Sequence, residues 1–172
     1  MTSPKENKDS DDHFDVVIEI SKGSNIKYEY DHKTNTLICD RILHTPLTYS
    51  FNYGFIKDTW STDNDPIDVV VLSTENLMPT CHIKCRAIGV LYTEDESGID
   101  PKIIAVPIAK VDPYYDNVKS FSDINISTFN NIKFFFEHYK KTEKNKWVIV
   151  SGTGGKDEAD KIIADGYDAF LL

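Results

Sequence analysis

Residues Asp68 to Leu72 read DVVVL, a run of strand length that opens on a carboxylate and is apolar at every position after it. Such a run has no polar face, so it reads as a strand buried on both sides. The chain must supply packing layers around it and still begin it at a charged rim. Neighbouring segments fit that need. FDVVIEI (Phe14 to Ile20) reads as a strand. IKYEY (Ile26 to Tyr30) alternates with period two, DHKTN makes a turn, and TLICDR (Thr36 to Arg41) returns. Cys81 to Tyr92 is a long β-like stretch, paired across an acidic loop with KIIAVPI (Lys102 to Ile108). Helical spacing enters late. Phe129, Ile132, Phe136 and Tyr139 share one face of a segment from about Thr128 to Lys141, which Ser127 can cap. WVIVS (Trp147 to Ser151) is strand again, and GKDEADKIIADGYDAF reads as a terminal helix weakened at Gly166. Short strands followed by helices predict an α+β fold, a compact antiparallel barrel with helices on one side.

A length of 172 residues suits one domain with a core that needs no staples. Residues 1–12 (MTSPKENKDSDD) carry no periodicity and read as a disordered tail, leaving a single domain over 13–172. The net charge is -9, the wrong sign for a general nucleic-acid binder. No apolar run approaches the roughly 20 residues that span a bilayer, so no membrane partner is expected. The three cysteines are odd in number and no secretory apolar region opens the chain, which reads as a cytoplasmic, reducing setting. Cys81, His82 and Cys85 have no second ligand pair at zinc spacing, so a buried structural role is expected.

The acids carry the chemistry. Nineteen of the 28 are Asp, a residue of turns and hard-cation sites. DNDPID places Asp63, Asp65 and Asp68 within six residues, stiffened by Pro66, at the mouth of the apolar strand. Three carboxylates there repel one another unless a divalent cation balances them. It is no EF-hand loop, since Ile67 stands where that motif wants Asp or Asn. DESGID adds Asp95, Glu96 and Asp100 between two strands. If both loops open at one end of the barrel, five or six carboxylates converge, a site for several Mg2+ ions. Glu19 interrupts VVIEI, Lys27 and Glu29 share one face of their strand, and Arg41 ends another. Lys27, Arg41, Lys102 and Lys140 pointing into the same mouth would pair cations for phosphate oxygens with carboxylates for metals. That combination suits metal-assisted phosphoryl transfer to water. Tyr49, Tyr53 and Tyr139 are candidate phosphate donors. Three consecutive phenylalanines, 134 to 136, cannot all enter one core stripe, so another subunit is an expected neighbour. SGTGG is no P-loop, and no nucleophile–base pair stands out.

DNDPID resembles the Asp-x-Asp-Pro-x-Asp signature of the soluble family I inorganic pyrophosphatases. VIEI, IKYE, the pair Asp40–Arg41, NYGFI, DESGIDPK and FFEHYKK followed by KW are similar to that family in order and spacing, from about residue 14 to 151. The resemblance, to the shorter prokaryotic type, implies a five-stranded OB-like closed barrel flanked by two main helices. It implies hydrolysis of inorganic pyrophosphate to phosphate with Mg2+. Asp63, Asp68 and Asp100 would bind the primary ion, Asp68 being shared with a second. Asp95 would join Asp100 on a further ion, and Glu19 and Glu29 would hold another through water. Asp65 would be the general base. Lys27, Arg41, Tyr53, Tyr139 and Lys140 would grip the phosphates, with Lys102 and Tyr49 nearby. The resemblance also implies a homohexamer, although Phe134 replaces a histidine of the helix that packs between subunits. A non-catalytic OB-type binding module and a metal-dependent phosphatase on organic phosphates are the competing readings.

Overall fold

A computed structural model describes residues 12–172. The tail expected over 1–12 lies outside them except for Asp12, whose carboxylate sits 2.9 Å from Lys156 Nζ. Eight strands and two helices follow: β1 (Phe14–Ile20), β2 (Ile26–Asp31), β3 (Thr36–Ile42), β4 (Asn52–Ile56), β5 (Asp68–Val71), β6 (His82–Asp95), β7 (Gly98–Pro107), α1 (Ile126–His138), β8 (Val148–Gly155) and α2 (Lys156–Leu171). The α+β expectation holds. Six strands form a sheet in the order β1-β4-β5-β7-β6-β8, and β1 also pairs with β6, so five strands are joined in a ring. β2 and β3 form a separate hairpin.

Two details differ from the expected antiparallel barrel with helices on one side. β5 and β7 pair in parallel, Val70 beside Ile104, because the long β6 lies between them in sequence and returns the chain to the same end. The helices also cover different faces. Alternation along β5 sends Val69 and Val71 into a core shared with Ala159 and Ile163 of α2. Val70 and Leu72 enter a second core with Ile132, Phe135 and Phe136 of α1. The continuous apolar run thus feeds two cores at once.

Helix α1 is capped by Asn125, whose side chain accepts from Ser127 N–H at 2.8 Å, so Ser127 is not the cap. The helix ends at His138, which places Tyr139 and Lys140 in the segment beyond it. Phe135 and Phe136 are buried while Phe134 stays 52% exposed, stacked on His138. α2 runs unbroken through Gly166. A Cβ there would stand 2.3 Å from Ile67 Cδ1, so the glycine permits a close approach and does not weaken the helix. Cys85 is buried and His82 exposed on opposite faces of β6, and burial pushes the Cys85 thiol up. Of the three residues expected to be buried for structure, Cys85 alone is, with Cys81 half-buried and His82 exposed.

Candidate active site

The DNDPID loop is built from below. Asp65 N–H donates to Asp63 Oδ1 at 3.1 Å, Ser61 N–H donates to Asp65 O, and Asn64 takes a left-handed φ of 62°. Asn tolerates that conformation better than most residues. Buried Thr59 receives Ile67 N–H at 3.1 Å and donates to Ile56 O. Trp60 N–H donates to Gly166 O of α2 at 3.0 Å. The acidic turn therefore rests on the terminal helix. That support comes from beyond residue 151, where the motifs that carry the resemblance end.

Strand registers then bring the charges together. Val69 lies beside Ile103 in the parallel β5–β7 pair, so Asp68 stands next to Lys102. Lys102 Nζ donates to Asp68 Oδ2 (2.7 Å), Asp100 Oδ2 (2.5 Å) and Tyr53 Oη (2.7 Å), using all three of its donors. It is only 6% exposed. Burial alone would lower its pKa, but Asp68 ahead of the other neighbours holds it well above the usual lysine range. Burial raises the Tyr53 phenol far above its usual value, so it remains a donor.

Two charges arrive through bulges. In β1, Ile18 pairs with Gly54 and Ile20 with Tyr53, which leaves Glu19 as the extra residue. The bulge moves Ile18 and Ile20 into different cores and tucks Glu19 inward, 8% exposed, accepting Tyr30 N–H at 2.8 Å. Burial pushes its pKa up to about 8. In the hairpin, Lys27 pairs with Arg41 and Tyr28 with Cys39, which leaves Asp40 extra. Asp40 Oδ2 takes hydrogen bonds from Lys27 Nζ (3.4 Å) and Arg41 Nη1 (2.5 Å). Partial burial opposes ionisation of Asp40, but Lys27 and Arg41 hold its carboxyl below the usual range.

The β6–β7 hairpin and the segment after α1 close the ring. Lys140, 4% exposed, donates to Asp95 Oδ2 (3.1 Å) and Glu96 Oε1 (3.2 Å). Glu96 also lies 3.4 Å from Lys146 Nζ and accepts Trp147 N–H. Against the effect of burial, backbone N–H groups and Lys140 hold Glu96 down to about 2. Arg41 Nε meets Glu143, and the pair helps keep the guanidinium charged despite burial.

The result is one cavity of about 310 Å³. All fourteen residues singled out in the sequence border it, Glu29, Tyr49 and Tyr139 included. Glu96, the other acid of the second loop, lines it too, and so does Lys146, which the sequence did not single out. Asp40 and Glu143, which pair with its cations, were not singled out as site residues either. Asp40 escaped because neighbours on a regular strand point to opposite faces and only a bulge overrides that. Glu143 follows no period at all.

Eight carboxylates face five permanent cations in this cavity. Burial, then Lys102 and Asp68 in opposition, leaves Asp100 at about 6, and burial with Asp63 raises Asp65. Among the described residues no three acids, histidines or cysteines already stand in ligating geometry. Instead, Lys102 holds Asp68 and Asp100, and Lys140 holds Asp95 and Glu96. Even so, the donor set is oxygen-rich and more anionic than its lysines offset, which is the chemistry of hard divalent cations. Cations and carboxylates in one polar cavity suit small phosphorylated anions accompanied by metal ions. Residues 16–170 match the family model described as inorganic pyrophosphatase, and the chain belongs to that family. It is 48% identical to the inorganic pyrophosphatase of Rickettsia prowazekii over 94% of each chain. It is 48% identical to that of Saccharolobus solfataricus over 91% of each. The solved inorganic pyrophosphatase of Helicobacter pylori superposes with a TM-score of 0.91 at 45% identity, covering 94% of this chain and 95% of that one.

Proposed function

We propose that this chain hydrolyses inorganic pyrophosphate to two orthophosphates. The observation that carries the reading is the pooling of eight carboxylates and five cations in one cavity. Pyrophosphate is a compact polyanion with no organic moiety, so it needs charge and little apolar wall. Lys27, Arg41, Tyr53, Tyr139 and Lys140 grip its phosphates, with Lys102 and Tyr49 nearby. Asp63, Asp68 and Asp100 would hold the primary Mg2+, Asp95 with Asp100 a further ion, and Glu19 and Glu29 another. When bound, Mg2+ would offset the anion's charge and lower the pKa of water. Asp65 accepts the proton from that water as general base. Burial and the neighbouring Asp63 raise the Asp65 pKa, which makes it a better proton acceptor. No side-chain nucleophile is needed.

The same reading takes the ring of five strands as a closed OB-like barrel and residues 13–172 as one domain. It places the protein in the cytoplasm. No helix among the described residues is long and apolar enough to cross a membrane. Exposed Phe134 on α1 supports a homo-oligomer, a hexamer by family likeness. Sedimentation showing an active monomer at micromolar concentration would remove that part.

The roles within DNDPID are tested by Mg2+ titrations of activity, with metal binding followed by calorimetry. Asp65→Asn should lower kcat by about 10²–10⁴ while the half-saturating Mg2+ concentration stays put. Asp68→Asn should raise the Mg2+ requirement strongly and also take from Lys102 one of its two charge partners. If Asp65→Asn is the variant that loses metal, the assignment is wrong. Preference for p-nitrophenyl phosphate over pyrophosphate would favour an organic phosphatase instead.

A further inference from the structure

We propose that Glu143 is a positioning residue for Arg41, holding the guanidinium by its Nε edge so that its other donors face the substrate. The inference rests on the reading of Arg41 as a phosphate clamp. Arg41 Nε lies 3.1 Å from Oε1 and 3.3 Å from Oε2 of Glu143. Asp40 takes Nη1 at 2.5 Å. Two of the three guanidinium nitrogens are therefore anchored by carboxylates from different elements, a bulge of β3 and the segment after α1. The Glu143 side chain is only 10% exposed, so solvent screens this pair little.

Glu143 is itself fixed. Its N–H donates to Lys140 O at 3.1 Å. Thr142 Oγ1 donates to His44 O at 3.0 Å, and Thr45 Oγ1 to Tyr139 O at 3.4 Å. Residues 44 and 45 lie just beyond the end of β3, so the segment from Tyr139 to Glu143 is stapled to the strand that carries Arg41. That segment also carries Tyr139 and Lys140. A single carboxylate thus sets the hairpin's cation in register with the other two grips. An arginine without this anchor would lose its orientation to rotamer freedom, and the cost would appear as weaker substrate binding.

The chain has only two arginines, so the Nε–H spectrum holds one signal from Arg41 and one from Arg86 as an internal control. In the wild type the Arg41 Nε–H should exchange slowly with solvent. Glu143→Ala should speed that exchange about tenfold, and Glu143→Gln, which keeps an acceptor and the side-chain volume, should recover part of it. In steady-state kinetics Glu143→Ala should raise KM for pyrophosphate about tenfold, with kcat within about threefold and the Mg2+ requirement unmoved. In an Arg41→Ala background the same change should matter less than about twofold, because the residue acts through Arg41. An Arg41 Nε–H indifferent to Glu143→Ala would overturn the proposal, as would an equal KM effect in both backgrounds. A wild-type chain inert towards pyrophosphate would sink the hydrolase reading, while Nε–H exchange would still decide whether Glu143 holds Arg41.

Discussion

Lys102 and Arg41 both set a cation among carboxylates of one cavity, but different kinds of structure hold them. Lys102 lies on β7, flanked by Asp68 of β5 and by Asp100 two residues earlier on its own strand. Backbone ladders fix both strands, so the geometry follows from register. Arg41 lies on a hairpin outside the six-stranded sheet and is placed by a bulge and a salt bridge to a loop. The first arrangement is paid for by folding itself. The second depends on side-chain bonds that can open without unfolding anything. The cavity therefore has a rigid half, where carboxylates and lysine are locked together, and a stapled half that grips. Substitutions in the rigid half should cost stability, and substitutions in the stapled half should cost binding.

The largest effect is expected from Lys102→Met. It strips the ammonium from between Asp68 and Asp100 and leaves two mostly buried carboxylates facing each other. Breaking a buried ionic cluster from one side costs about 3–5 kcal/mol. Urea unfolding at pH 7 without divalent ions should show that loss, and added Mg2+ should recover part of it. Wild-type stability in this variant would mean that strand register holds the cluster without its cation.

Gly54→Ala probes the same half through the backbone. A Cβ at Gly54 would lie 2.0 Å from Val17 O and 3.0 Å from Ile18 Cα, both main-chain atoms of β1. No side chain can swing aside, so β1 and β4 must separate at the pair that precedes Tyr53 and the Glu19 bulge. Overpacking of this kind costs about 2–3 kcal/mol. A melting curve within experimental scatter of wild type would show that the β1–β4 contact is softer than the rigid half requires.

The same division explains what could be read from the residues alone. The rigid half was legible because the continuous apolar run after Asp68 marks a strand buried on both faces and opening on a carboxylate. Asp63, Asp65 and Asp68 announced themselves by clustering. The parallel sense of β5 and β7 and the opposite placement of the helices were not legible, because periodicity carries no strand order. Bulges at Glu19 and Asp40 left no local mark, since each depends on a partner strand's register. Gly166 looked like a weak point of the terminal helix and proved to be a contact with Ile67, which only tertiary packing reveals. Glu143 was invisible because its partner lies 102 residues away.

Arg41→Lys moves to the stapled half. The charge survives but the planar fork does not, so Glu143 and a phosphate can no longer be held together. Stability should change by less than about 1 kcal/mol, as the lysine keeps a positive charge for Glu143 and Asp40 and the hairpin lies outside the main sheet. kcat/KM for pyrophosphate should fall about tenfold to hundredfold. A variant with normal kcat/KM would count against phosphate clamping by this residue, and a large stability loss would erase the contrast between the halves.

Thr142→Val is the smallest change and the finest test of the contrast. It removes only the hydroxyl that donates to His44 O, one of the staples between the end of β3 and the segment that carries Lys140. The bond is solvent-exposed, so the cost is about 0.5 kcal/mol and thermal melting should hardly register it. Local opening should respond where global stability does not. Backbone amides of Lys141 and Glu143, which donate to His138 O and Lys140 O, should exchange about twofold faster. Amides of Val69 and Val70, held in the β4–β5–β7 ladder, should be unaffected. Faster exchange spreading into that ladder would show that the two halves open as one unit. Unchanged exchange at Glu143 would show that its anchor does not need the threonine, leaving Arg41 and Thr45 to hold the segment.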